Sequence, residues 1–164
     1  MKPAPPPDSF TVDSPVTSVA VTAAGGAVTR IDLNSRGSRA PKNQFERRVA
    51  RELRDYFAGK RRDFTFPVRP AGTDFNQRVW QELTRIPYGE TRTYGELARK
   101  IGRPNAARAV GSANGRNPVP IVLPCHRVVA SGGKLGGYGG GLELKKRLLE
   151  LEGHHRTAQD GAGR

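Results

Sequence analysis

One cysteine occurs in the 164 residues, Cys125, and it stands in Pro124-Cys125-His126-Arg127-Val128. A lone thiol closes no internal disulfide and builds no cysteine-rich zinc cage. Two readings remain, inert packing or nucleophilic chemistry. Free cysteine is a small hydrophobe that ordinarily packs. Here a histidine follows it directly, an arginine comes next and a proline precedes it. A basic, polar, shape-constrained setting lowers a thiol pKa, whereas apolar burial raises it. The neighbours therefore predict a depressed pKa and a reactive thiolate. A free thiol titrates near ~8.5, and lowering that by about 2 units favours the anion by roughly 2.7 kcal/mol.

The elements that must position this thiol lie in the second half of the chain. Thr73 or Asp74 caps a helix through Phe75, Val79, Leu83 and Ile86, ended by Pro87-Tyr88-Gly89. Thr93 caps a second helix carrying Tyr94, Leu97, Ala98 and Ile101, with Gly102 as its stop. Asn105 is expected to cap a third, Ala106 to about Asn114. Two short helices joined by Gly102-Arg103-Pro104-Asn105 form a helix-turn-helix pattern. The third helix is almost bare of bulk, with Arg108 its one long side chain before Arg116. Such a helix either packs tightly on a neighbour or lets its backbone approach a ligand. Residues 118–130 read as a buried extended segment whose three prolines forbid a full ladder. Successive side chains of an extended segment point oppositely, so Cys125 and His126 are expected to communicate through a water. Ser131 to Gly141 is glycine-rich, with Tyr138 its only aromatic. A last helix, Leu142 to Glu152, turns Leu144, Leu148, Leu149 and Leu151 inward.

The first half is organised differently. Residues 1–9 are a Pro-rich tail, expected to be extended and loosely held. Phe10 to Val12, Thr17 to Thr22 and Ala27 to Leu33 read as a three-stranded meander, with turns at Asp13-Ser14-Pro15 and Ala24-Gly25-Gly26. Asn43 caps a helix to about Ala58, and Gly59 ends it. Phe64-Thr65-Phe66 is expected to be a short strand. The predicted division is a tail at 1–9, a domain at 10–70, a second at 71–153 and a polar tail at 154–164. His154-His155 reads as a solvated end, not a metal site. The predicted fold class is α/β (α+β).

Charge points to a partner. The chain carries 28 Lys+Arg against 15 Asp+Glu, a net charge of +13. Ten of the basic residues fall between Arg36 and Arg62, opposed by Glu46, Glu52 and Asp55. An excess of this kind favours polyanions, because neutralising each phosphate releases counterions. No stretch is long enough to span a bilayer. The Pro-rich start after Met1-Lys2 is no secretion signal. With the unpaired cysteine, this predicts a cytoplasmic protein.

The pentapeptide around Cys125 resembles the signature of the O6-alkylguanine-DNA alkyltransferases. In order and spacing, so do Gly89-Glu90-Thr91-Arg92-Thr93-Tyr94, Ala106-Ala107-Arg108-Ala109-Val110-Gly111 and Asn117-Pro118. Gly137-Tyr138-Gly139-Gly140-Gly141 and Leu148-Leu149-Glu150-Leu151-Glu152-Gly153 complete the set. The likeness is close over about 72–153 and holds in outline over 10–66. It implies a ribonuclease H-like first domain and a winged-helix-like second.

The resemblance also implies roles. Cys125 takes the alkyl group, His126 relays the thiol proton and Glu152 orients His126. Arg108 enters the base stack in place of the flipped nucleotide, and Tyr94 presses on the neighbouring phosphate. Gly95, Arg103 and Ser131 belong to the DNA-contacting set. Asn117 is the hinge, and Pro120, Tyr138, Gly139 and Val128 line the base pocket. Gly139 stands where some members carry a small hydroxyl residue, and Gly95 and Arg103 replace polar phosphate-contacting residues, which touches selectivity more than chemistry. The implied partner is duplex DNA containing an alkylated guanine, bound by a monomer that several copies can share. No cofactor and no metal are implied. Three rivals stay open: an inactive alkyltransferase-like lesion binder, in which the cysteine is replaced; a winged-helix regulator; and a Cys-His hydrolase, which would turn over.

Overall fold

The computed structural model describes residues 3–153, so the expectations for 154–164, including His154-His155, lie outside the described residues. The chain divides into two compact units, Met1–Ala71 and Gly72–Arg164.

In the first unit, β1 (Phe10–Val12), β2 (Val19–Ala24) and β3 (Ala27–Leu33) form an antiparallel sheet in that order. Phe10 faces Val21, and Val21 faces Ile31. Gly25 and Gly26 both adopt positive φ, the requirement of a tight two-residue hairpin turn. Helix α1 (Gln44–Phe57) is capped by Asn43, whose side chain accepts the Glu46 N–H. Its Val49, Ala50, Leu53, Tyr56 and Phe57 are buried, as are Phe10, Val12, Val19, Val21, Ile31 and Leu33. These apolar faces form the core of the unit.

Two expectations fail here. Residues 64–66 form no strand. The Thr65 N–H donates to the Glu52 carboxylate instead of a ladder, and the rings of Phe64 and Phe66 pack on each other, with Phe64 also against Tyr56. Nor is the whole leading segment loose. Ser9 is buried, its N–H donates to Pro6 O, and Asp8 pairs with Arg39.

The second unit holds α2 (Asp74–Leu83), β4 (Arg92–Thr93), α3 (Tyr94–Lys100), α4 (Ala107–Gly115), β5 (Val128–Val129) and α5 (Leu142–Leu151). Thr73 caps α2, and Thr93 and Glu96 form a reciprocal capping box on α3. Asn105 does not cap α4. The N-cap is Ala106, without a side-chain bond, because the Ala106 N–H closes a turn onto Arg103 O and leaves Asn105 inside it. Trp80 Nε1 donates to Ala113 O at 2.8 Å and ties α2 to α4. β4 and β5 pair in parallel, Arg92 with Val128 and Thr93 with Val129. That pairing brings the start of α3 beside the segment after Cys125. Among the described residues no helix is long and apolar enough to cross a membrane.

Candidate active site

The segment that carries the thiol is not extended. The Cys125 N–H turns back to Leu123 O and the Arg127 N–H to Pro124 O, giving a 3₁₀ turn over Cys125–Arg127. Such a turn sets neighbouring side chains about a third of a revolution apart. The approach to it is strained. Ile121 is buried at φ 76°, a conformation a β-branched residue adopts only under constraint. Asn114 and Asn117 hold the segment in place. Asn114 Nδ2 donates to Cys125 O, and Asn117 Nδ2 to Leu123 O at 2.7 Å, while Asn117 Oδ1 accepts the Val119 N–H.

The turn aims its side chains into a buried ionic cluster. His126 Nε2 meets Glu152 Oε2 at 2.8 Å. Arg127 grips the same carboxylate with Nε at 2.8 Å and Nη2 at 3.0 Å, and donates from Nη1 to Ile86 O. Burial alone would raise the Glu152 pKa, but the bonds from His126 and Arg127 hold it far below the usual carboxylate range. Burial pulls the His126 pKa down, against the pull of Glu152. A carboxylate only accepts, so Nε2 carries the proton of the neutral ring and Nδ1 is its basic nitrogen. The fold thus supplies an oriented neutral imidazole next in sequence to the thiol.

The thiol itself corrects the expectation. Burial pushes Cys125 up to about 11, against a side-chain hydrogen bond from Asn117 and the charge of Lys145. The basic neighbours do not depress it because Arg127 is committed to Glu152 and His126 is neutral. Cys125 rests as a thiol, 5% exposed.

Lys145 is the residue the sequence reading passed over. Fully buried, it donates from Nζ to Val128 O at 2.6 Å, Gly137 O at 3.0 Å and Leu135 O. One ammonium so joins α5, β5 and the glycine-rich loop. Its position three and four residues before Leu148 and Leu149 put it on their inward stripe; its charge concealed that. From the sequence, Arg127 too reads only as a basic neighbour of the thiol.

The remaining predicted residues fall as follows. Tyr94, at the start of α3, lies against Gly111 and Gly136, and burial raises its pKa. The Tyr138 ring stands edge-on to His126 with centroids 6.5 Å apart. The Tyr138 hydroxyl is buried with no hydrogen-bond partner among the described residues. Val128 and Pro120 are buried, and Gly139 and Ser131 are exposed in the glycine-rich loop and at its start. A Cβ at Gly139 would meet open space. Gly95 is half-buried on α3 and Arg103 lies over the Phe75 ring in the α3–α4 turn. Arg108 projects, exposed, from α4 and takes part in no ion pair among the described residues.

Residues 74–154 match the family model for the 6-O-methylguanine DNA methyltransferase, DNA binding domain. The methylated-DNA–protein-cysteine methyltransferase of Mycobacterium leprae is 46% identical over 149 residues, spanning 87% of this chain and 90% of that protein. The protein of the same name from Methanosarcina acetivorans is 54% identical over 110 residues, spanning 67% and 70%. A crystal structure of the Mycobacterium tuberculosis OGT in complex with DNA aligns with TM-score 0.80 at 47% identity, covering 88% of this chain and 91% of that one. The chain, a mixed α/β protein with one small antiparallel sheet and five α-helices among its described residues, belongs to the O6-alkylguanine-DNA alkyltransferase, or methylated-DNA–protein-cysteine methyltransferase, family.

Proposed function

We propose that this protein repairs DNA by direct reversal, moving the alkyl group from O6 of an alkylated guanine in duplex DNA, and from O4 of alkylated thymine, to Cys125 in one irreversible event. The observation that carries the reading is the buried His126–Glu152–Arg127 cluster sharing a 3₁₀ turn with the chain's sole thiol. An inert packed cysteine has no use for an imidazole whose tautomer is fixed by a buried carboxylate.

The reaction balances as follows. His126 Nδ1, through a water, takes the thiol proton. Sγ attacks the alkyl carbon, and the S–C bond forms as the C–O6 bond breaks. The electron pair stays on guanine, held by backbone N–H groups near Ser131; guanine takes a proton from the Tyr94 hydroxyl, and the proton accepted by His126 restores that hydroxyl through water. A proton has passed overall from the thiol to the base. The thioether is stable, so the protein acts once. Because the buried thiol rests protonated, its ionisation belongs to the complex with DNA.

O6 lies inside the base stack, so the nucleotide is turned out first, at a few kcal/mol and less for a damaged pair. Arg108 fills the vacancy; its exposure on a thin helix supports that role. The unpartnered Tyr138 hydroxyl supports a pocket in which the base completes its hydrogen bonding. Asn117, Pro120, Val128 and Gly139 frame that pocket. Tyr94, Gly95, Arg103 and Ser131 contact the strand, giving backbone-dominated and sequence-indifferent binding. On this reading the first unit is ribonuclease H-like, the second winged-helix-like, and the protein a cytoplasmic monomer.

Paired variants test the assignment. Cys125→Ser abolishes transfer and keeps DNA binding. Arg108→Ala slows repair of duplex at least tenfold more than reaction with free O6-benzylguanine. Equal slowing on the two substrates removes the finger role, and transfer surviving in Cys125→Ser removes the nucleophile.

A further inference from the structure

Outside the site, the strongest unexplained feature is a charged stripe on α1. Arg47, Arg51 and Arg54 follow each other at spacings of four and three, so they share one face of the helix. All three are exposed, while Val49, Ala50, Leu53 and Tyr56 are buried. None takes part in an ion pair among the described residues. The nearest acid, Asp55, lies four residues after Arg51 and makes no ion pair with the stripe among the described residues, and the other acids of the unit nearby are engaged elsewhere. Glu46 pairs with Arg39, and Glu52 with Arg48 and Arg61. Asp8, Asp13 and Asp32 pair with Arg39, Arg36 and Arg30.

Stability does not account for this stripe. Like charges at such spacings destabilise a helix. Only Arg54 sits in the last turn, where the helix dipole favours a cation. Arg47 lies near the N-terminus, where the dipole opposes it. The residues are all arginine, whose planar, weakly hydrated guanidinium suits phosphate better than an ammonium does. At about 1.5 Å per residue, Arg47 to Arg54 spans about 10 Å. That length matches about three phosphate-to-phosphate steps of one strand at about 3.4 Å of axis each.

From this we infer that the exposed face of α1 is a second DNA-binding surface, which docks the phosphate backbone of duplex DNA without reading sequence. The inference rests on duplex DNA being the partner, but not on the chemistry at Cys125.

The experiment compares the full chain with an Arg47→Gln/Arg51→Gln/Arg54→Gln variant on a long undamaged duplex, by fluorescence anisotropy across a KCl series. Three phosphate contacts contribute about 2.7 to the slope of log K against log salt. Between 50 and 200 mM KCl the unaltered chain then loses about 40-fold more affinity than the variant. An Arg47→Lys/Arg51→Lys/Arg54→Lys variant restores most of the slope. Unchanged slope in the glutamine variant, with its melting temperature intact, overturns the inference. Alkyl transfer from free O6-benzylguanine, measured on the same samples, keeps the two proposals apart. Failed transfer in the unaltered chain contradicts the repair reading and leaves the slope comparison standing.

Discussion

Glu152→Gln removes the charge from the buried cluster while keeping its shape. The two carboxylate oxygens accept one hydrogen bond from His126, two from Arg127 and a longer one, at 3.5 Å, from the Gly89 N–H. A carboxamide has one oxygen and one NH₂, so in either orientation its NH₂ meets a donor. If the NH₂ replaces Oε1 it opposes Arg127 Nε; if it replaces Oε2 it opposes both His126 Nε2 and Arg127 Nη2. The second arrangement is relieved when the ring moves its proton to Nδ1, and then the base facing the chemistry is gone. Breaking a buried ion pair by removing one charge costs about 3–5 kcal/mol. For a unit of this size that lowers Tm by roughly 15–30 °C. A wrong tautomer in an analogous triad costs about 10⁴ in rate, so single-turnover transfer per folded molecule should fall by about 10²–10⁴. Arg127→Met is the control. It leaves Glu152 equally uncompensated and destabilises similarly, yet keeps the Nε2–carboxylate bond, so its transfer per folded molecule should fall much less. Glu152→Gln molecules that are folded and transfer within about threefold of the unaltered rate would refute the orienting role.

Three further outcomes are expected. Lys145→Met leaves the carbonyls of Val128, Leu135 and Gly137 without their shared donor, and should slow transfer from both duplex and free base by at least tenfold; hydrogen exchange in residues 131–141 should rise with it, and an unchanged loop would count against the anchor. A buried thiol whose pKa stands near 11, above its unfolded value near 9, adds stability at low pH that is lost as pH rises from about 9 to about 11. The loss is about 3 kcal/mol on the linkage relation, and Cys125→Ser, or chains already alkylated at Cys125, should lack it in alkaline denaturation. Gly136→Ala should both strain a backbone at φ +73° and drive a Cβ to 2.9 Å from the Tyr94 hydroxyl; crystallography or NMR should find Tyr94 displaced, with transfer reduced more than Tm predicts.

What the sequence made legible was what short-range chemistry decides. Asn43, Thr73 and Thr93 marked helix starts because each has a side-chain oxygen and a free N–H within three residues. Asn105 has the same chemistry and failed, because the turn at Arg103-Pro104 placed it one residue too early. Phe64-Thr65-Phe66 has a strand's composition, but the Thr65 amide found a carboxylate thirteen residues away. Around Cys125 the three prolines correctly excluded a ladder, yet the carbonyls of Leu123 and Pro124 curled the chain into a 3₁₀ turn. The thiol's titration escapes the local sequence for a related reason. Adjacent basic residues suggested a stabilised anion, but the charge of Arg127 is taken by Glu152, 25 residues on, and burial decides the rest. Glu152 was legible through family resemblance alone, since an isolated glutamate at a helix end is ordinarily a solvated surface group.

The most direct test of the central assignment is intact-protein and peptide mass spectrometry after incubation with duplex DNA holding one O6-methylguanine. One added methyl mass, confined to the peptide containing Cys125, with unmodified guanine restored in equal amount and no second round on fresh DNA, is the expected result. DNA bound but unrepaired, repair continuing beyond one equivalent, or a methyl group on any other residue would contradict it.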